Sequence, residues 1–213
     1  MKKQSPLLII IAVIAAIALI IGLTLGGIWL YVHNSEYDFH TTVPGSQAIL
    51  RTQLVQTAET WLGANEADGS HKAIIDLYNG HTPLAQNYQV KYDDSWCATF
   101  VSAAAIECGF TEIIPTECGC QRQIELFKEL DCWEEADDYK PFPGDIIYYC
   151  LKNTSPGDCT DWSDHVGIVV GTKGNFIKVI EGNYAEKVAY RYLSVADAII
   201  RGYGIPDYAL LSE

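Results

Sequence analysis

Three side chains that could act together are a cysteine, a histidine and a glutamate in the second half of the chain. Cys97 begins a run rich in Ala, Val and Ile, residues 98–108, which ends at Gly109 and predicts a helix. A thiol is a strong nucleophile only as thiolate, which a helix N-terminus and a nearby imidazolium both favour. His165 could supply the imidazole, and Glu181 could fix its tautomer and orientation. The combination predicts a thiol nucleophile with its base and an orienting carboxylate.

The histidine and the glutamate lie on a predicted β-hairpin. Two short runs rich in β-branched residues, 166–170 and 176–180, flank a glycine-bearing loop at 171–175. If the residues that flank this loop pair with each other, His165 lies directly opposite Glu181. Opposed side chains share one face of the sheet, with Cβ atoms roughly 4.5–5.5 Å apart. A slip of one residue would put the two on opposite faces, so the register is a testable prediction.

Four segments of the chain carry distinctive motifs: Trp96–Val101, Pro143–Tyr149, His165–Val169 and Ile180–Asn183. Together they resemble the CHAP domain, the cysteine, histidine-dependent amidohydrolase/peptidase. This family is a papain-like relative of the NlpC-type cell-wall peptidases. The segments occur in the family's order, and the resemblance extends over residues 46–213.

The resemblance implies a role for each matching residue. Cys97 corresponds to the nucleophile, His165 to the general base and Glu181 to the residue that orients it. Asn183 matches the fourth polar position, at the edge of the site. The implied reaction is cleavage of an amide in peptidoglycan through a thioester. The enzyme would be an amidase that cleaves the sugar-to-peptide amide or an endopeptidase that cleaves a peptide bond in the stem or cross-bridge. Some CHAP lysins carry a calcium loop, but Asp93–Asp94 lacks its spacing, so no metal or other cofactor is expected.

Two other functions remain open on the sequence alone. One is a catalytically inactive module that binds the cell wall through a papain-like groove. The other is a wall-remodelling component of an envelope-spanning secretion or DNA-transfer machine. The presence of all the motif positions speaks against the first, and a location close to the membrane would suit the second.

The N-terminal residues predict a membrane anchor. The apolar stretch Leu7–Leu30 would span about 36 Å as a helix, enough to cross a bilayer core of roughly 30 Å. It exceeds the apolar region of a signal peptide, and no small-residue cleavage pattern follows it. Lys2 and Lys3 precede the stretch, and Glu36 and Asp38 follow it. The positive-inside rule therefore predicts a single-pass protein of the cell membrane with its catalytic domain outside the cytoplasm.

The predicted organisation is a short tail and anchor at 1–32, a linker at 33–45 and a catalytic domain at 46–213. The formal net charge is −13, with no cluster of three basic residues. Nucleic-acid binding requires a basic face, so nucleic acid is excluded as a partner. The expected partners are peptidoglycan and, through the N-terminal helix, the membrane.

The seven cysteines suit one free thiol and up to three disulfides. With Cys97 set aside, the other six allow fifteen pairings. Cys150 and Cys159 flank a short loop and are the first expected pair. Cys118 and Cys120 could instead ligate zinc, but their spacing is shorter than that of the usual zinc motifs.

The coarse pattern of elements predicts an α+β fold with N-terminal helices packed on a small antiparallel sheet, which agrees with a papain-like fold. The helices precede the strands, and a closing strand interrupted by Gly204 and Pro206 is expected near the C-terminus. The predicted helices are 46–62, 71–78, 98–108 and 121–130, and the predicted strands are 146–151, 166–170, 176–180, 188–192 and 199–211.

Overall fold

The computed structural model describes residues 43, 45–152, 159 and 162–211. The predicted anchor, residues 1–32, and most of the predicted linker lie outside these residues. In the part of the chain that is described, no helix is both long and apolar enough to cross a membrane.

The described residues form an α+β fold, as predicted, in which four α-helices precede a six-stranded antiparallel sheet. The strand order is β1-β6-β2-β3-β4-β5. The helices are α1 (Ala48–Glu59), α2 (Lys72–Asn79), α3 (Cys97–Cys108) and α4 (Cys120–Glu129). The strands are β1 (Trp133–Glu134), β2 (Ile146–Tyr149), β3 (His165–Lys173), β4 (Phe176–Glu181), β5 (Ala189–Ser194) and β6 (Ile200–Gly204).

Helix α3 is the centre of the core because its first nine residues are all buried. Three consecutive alanines, 103–105, let the neighbouring backbones approach closely, and α1, α2 and β3 all pack against it. Gly109 ends the helix in the left-handed conformation, at φ 72°. The candidate nucleophile is therefore the first residue of a helix that is surrounded by the core.

The sheet carries apolar residues on both faces because side chains alternate along each strand. Ile146 and Tyr148 of β2 face the helical core, whereas Ile147 and Tyr149 belong to a second apolar cluster on the other face. The first half of β3, which begins at the histidine, packs on both faces, because Val166 and Ile168 belong to the helical core and Val169 to the second cluster.

A buried ion pair ties α1 to the turn before β2. Arg51 donates to Asp145 at 2.7 Å, and both side chains are almost wholly buried. Asp145 also accepts hydrogen bonds from the Tyr139 hydroxyl and the Phe142 backbone N–H, at 2.8 Å each. This part of the Pro143–Tyr149 motif therefore has a structural role away from the catalytic residues.

The predicted register of the hairpin is wrong, because its turn is tighter than expected. Lys173 pairs with Phe176, so only Gly174 and Asn175 form the loop. Gly174 has φ 60°, and a two-residue loop with such a glycine suits the twist of a hairpin. Next to the turn, Phe176 thus pairs with Lys173 instead of Val170, a displacement of three residues from the predicted register.

A β-bulge between Val169 and Gly171 then reduces the displacement to two residues, and Val169 pairs with Val179. An even displacement leaves His165 and Glu181 on one face, whereas the odd displacement at the turn would have separated them. The bulge therefore places the two side chains together, and the predicted shared face is correct although the predicted register is not.

The predicted closing strand is correct only in its first half. Strand β6 ends at Gly204 and lies between β1 and β2 rather than at an edge. Beyond it the Tyr208 N–H donates to the carbonyl of Pro206, and residues Tyr208–Leu211 form a short 3₁₀ helix. Proline lacks the N–H that a continuing strand would require, which explains the stop.

Candidate active site

A helix and a β-hairpin bring the three predicted catalytic residues together. Cys97 is the first residue of α3, His165 the first of β3 and Glu181 the last of β4. All three are buried, with 5%, 7% and 0% of their surface exposed. The preceding residue, Trp96, is fully buried and donates its indole N–H to the Glu66 carboxylate at 2.9 Å. This contact fixes the start of the nucleophile helix.

The imidazole of His165 lies between the thiol and the carboxylate. Its Nε2 is 2.9 Å from Oε2 of Glu181, and the ring interacts with Cys97 closely enough that each group shifts the pKa of the other. Because a carboxylate oxygen can only accept, Nε2 carries the hydrogen of this bond, and Nδ1 is the nitrogen left for the sulfur. The order thiol, imidazole, carboxylate is that of a nucleophile, its base and the group that orients the base.

The environment separates the pKa values of the thiol and the imidazole. The pKa of Cys97 is well below that of an ordinary thiol, chiefly because of a hydrogen bond from Cys120 and also because of His165, while burial opposes the shift. Burial alone would lower the pKa of His165, but the hydrogen bonds and charges of Cys97 and Glu181 outweigh it and raise the value to about 9. The lowered pKa of the thiol and the raised pKa of the imidazole both favour the thiolate–imidazolium form of the pair, which titrates as a coupled unit.

The N-terminus of α3 adds to this stabilisation. The backbone N–H of Ala98, at the start of the helix, lowers the pKa of the Cys97 thiol further. The first N–H groups of a helix have no partner within the helix and carry a partial positive charge. They can also donate to an oxyanion that develops on a carbonyl beside the sulfur.

Arg191, which sequence reasoning missed, completes the carboxylate's surroundings. Its Nε donates to Oε1 of Glu181 at 2.7 Å, so each carboxylate oxygen has one donor. The guanidinium also lies over the ring of Tyr184, 4.1 Å from its centroid. The ring of Tyr149 stacks on His165, with centroids 5.9 Å apart. Arg191 lies on β5, and the sequence shows no sign that this strand pairs with β4.

Gly167 leaves the space through which Glu181 reaches the histidine. Continuing the ladder beyond Ile168 and Ile180 places Gly167 across from Glu181. A Cβ atom at Gly167 would lie 2.7 Å from Cγ of Glu181 and 2.6 Å from Cγ1 of Val179. Position 167 therefore requires glycine, because any larger side chain would overlap that of Glu181.

The segment after Glu181 joins the hairpin to the nucleophile helix. Gly182 packs so closely on Phe100 and Trp96 that a Cβ atom would overlap both side chains. Asn183 follows with φ 57°, a left-handed conformation that asparagine adopts more readily than most residues. It is half-buried, and its predicted place at the edge of the site stays a prediction.

One disulfide forms, within the maximum of three that the sequence allowed. Cys150 and Cys159 are the pair, which confirms the first expected one. The other five cysteines are free. Cys120 lies beside the nucleophile, with the two Sγ atoms 3.6 Å apart, and the Cys108 sulfur contacts the Thr57 hydroxyl. Among the described residues, no group of three or more His, Cys, Asp or Glu could hold a metal ion.

A cleft of about 830 Å³ lies beside α2 and the segment 89–93. None of the three catalytic candidates lines it. Its link to the site is Glu66, which lines the cleft and accepts the hydrogen bond of Trp96.

Comparisons with known proteins leave the family open. No family model matches the chain, and no curated protein matches it. A solved structure described as the crystal structure of Ly7917 is similar, with 13% sequence identity and a TM-score of 0.41. The match covers 73% of this chain and 62% of that one, so the chain spans less than two thirds of that structure. The catalytic assignment accordingly depends on the geometry of the site.

Proposed function

We propose that the protein is a membrane-anchored, cysteine-dependent amidohydrolase or peptidase that cleaves an amide bond of peptidoglycan. The observation that carries this proposal is the grouping of Cys97, His165 and Glu181 at the start of a buried helix, where Glu181 is hydrogen-bonded to the imidazole and the imidazole lowers the pKa of the thiol. A thiolate beside an imidazolium is the resting form that such chemistry requires.

The proposed reaction has two stages. The Cys97 sulfur attacks the carbonyl carbon, and the first N–H groups of α3 stabilise the oxyanion. His165 then donates its Nδ1 proton to the leaving amine as the carbon–nitrogen bond breaks, which leaves a thioester. A water molecule gives a proton to the imidazole and attacks the thioester, and the Cys97 thiolate leaves. Glu181 keeps Nε2 protonated throughout and stabilises the imidazolium.

The substrate and the location come from the sequence. The four segments that resemble the CHAP domain point to the stem peptide or cross-bridge of peptidoglycan and to a papain-like fold. The apolar stretch Leu7–Leu30 and the two lysines before it place the catalytic domain outside the cytoplasm. The disulfide between Cys150 and Cys159 agrees with that compartment.

An inactive wall-binding module is the less well supported alternative. Binding of the wall alone requires neither a lowered thiol pKa nor a buried carboxylate with a donor on each oxygen. Such perturbed groups cluster at catalytic sites.

The test is mass analysis of the fragments released from purified peptidoglycan by the full chain in detergent. Cleavage predicts soluble fragments with a new amine and a new carboxylate, and their masses identify the bond. Cys97→Ala should release none, while Cys108→Ala, at the other end of the same helix, should release the same fragments as the wild type. If the wild type binds the polymer without releasing fragments, the proposal fails and the binding module takes its place.

A further inference from the structure

A second thiol lies in contact with the nucleophile. Cys120 is the first residue of α4, as Cys97 is the first residue of α3, and the two sulfurs are 3.6 Å apart. Only 7% of the Cys120 surface is exposed. Two helix N-termini, each with a partial positive charge, thus converge on one pair of sulfur atoms.

The surroundings decide which sulfur keeps a proton. His165 approaches Cys97 and favours its thiolate, whereas Asp164 and the Cys97 thiolate itself disfavour a negative charge on Cys120. Together with burial, the hydrogen bond to Cys97 raises the pKa of Cys120 well above that of an ordinary thiol. Tyr148, the other titratable group near both sulfurs, is also held protonated by burial. These surroundings favour a form of the pair with one proton, carried by Cys120.

We propose that Cys120 is a further catalytic group, whose S–H donates a hydrogen bond to the Cys97 thiolate and keeps it ionised in the resting enzyme. The catalytic part of this inference rests on the proposed function. The hydrogen bond itself does not, because it concerns the two thiols alone.

The role differs from that of an oxyanion donor. As the sulfur–carbon bond forms, the negative charge moves from Cys97 to the carbonyl oxygen, and the proton of Cys120 stays where it is. Cys120 therefore stabilises the resting thiolate and not the charge on the oxygen. Its loss should reduce the thiolate fraction at low pH and have little effect at a pH where Cys97 is ionised without help.

The experiment is the rate of Cys97 alkylation by iodoacetamide as a function of pH, followed by peptide mass analysis. An S–H group is a weak donor, so we expect Cys120→Ala to move the acid limb upward by about one pH unit. Below that limb the variant should react about tenfold more slowly, and the two rates should converge at high pH. Cys120→Ser retains a donor of similar size and should leave the limb close to its wild-type position.

Cys118→Ala is the matched control, since Cys118 lies two residues away but contacts Tyr78 rather than Cys97. It should leave the limb unchanged. A limb that does not move in folded Cys120→Ala, or a rate lowered equally at every pH, would overturn the proposal and leave only a packing role. Failure of Cys120→Ser to restore the limb would do the same. Because alkylation needs no substrate, a shifted limb without peptidoglycan cleavage would refute the proposed function and not the thiol pair.

Discussion

The carboxylate of Glu181 has to satisfy two donors at once, and this makes Glu181→Gln an informative change. His165 donates from Nε2 at 2.9 Å to one oxygen, and Arg191 donates from Nε at 2.7 Å to the other. The substituted amide has the same size but only one acceptor oxygen. Arginine cannot give up its proton, whereas the imidazole can, so we expect the amide oxygen to turn to Arg191 and the NH₂ group to His165.

The consequence is the wrong tautomer of the imidazole. If the amide donates to Nε2, the hydrogen of the neutral ring moves to Nδ1, which faces Cys97 and can no longer accept the thiol proton. Loss of one hydrogen bond to a charged group costs about 1.5–3 kcal/mol, and a wrong tautomer in a Ser-His-Asp triad lowers kcat about 10⁴-fold. For Glu181→Gln we expect kcat/KM to fall roughly 10²- to 10⁴-fold.

The assay is hydrolysis of purified peptidoglycan, with the ¹⁵N shifts of the His165 ring as a direct reading of the tautomer. Arg191→Met is the matched control, because combined with Glu181→Gln it removes the competing donor and frees the amide oxygen for His165. The double variant should therefore be more active than Glu181→Gln alone. A double variant that is no better than Glu181→Gln, or a single variant with more than half of the wild-type activity, would refute this reasoning.

Two other predictions concern the same site. Gly167→Ala should displace the Glu181 side chain and lower the free energy of unfolding by about 1–3 kcal/mol, with a larger relative loss of activity. Gly80→Ala is the control and should lower the free energy of unfolding less, because its Cβ would lie 3.3 Å from its nearest neighbour. Equal effects of the two variants in urea unfolding would contradict this prediction. Activity should rise at a pH below the ordinary thiol range as Cys97 ionises, because its pKa is lowered. It should fall as the pH passes about 9 and the His165 imidazolium loses the proton that the leaving amine needs, so undiminished activity well above that pH would argue against the pair.

Much of the site could be predicted because its elements have local signals. The alanine-rich run that ends at Gly109 encodes the nucleophile helix, and the two β-branched runs encode the hairpin. The shared face of His165 and Glu181 followed from the two-residue period of a strand. These features depend on residues close together in the chain.

The remaining features depend on contacts between distant segments. The bulge after Val169 and the two-residue turn at Gly174 together set the register, and neither has a unique signature in the sequence. Arg191 reaches Glu181 only because β5 pairs with β4, and Cys120 reaches Cys97 only because two helices begin at the same place. Six cysteines that could pair in fifteen ways gave no indication that one of them would face the nucleophile.

Competition between the free cysteines tests the central claim, an activated Cys97, most directly. Cys97 is only 5% exposed, while Cys108, Cys118 and Cys132 are more exposed and have pKa values that burial raises. With limiting iodoacetamide at about pH 6, well below the ordinary thiol pKa of about 8.5, accessibility and activation favour different residues. We predict that Cys97 is alkylated first, as read by peptide mass analysis. Labelling of Cys108, Cys118 or Cys132 ahead of Cys97 would contradict the account.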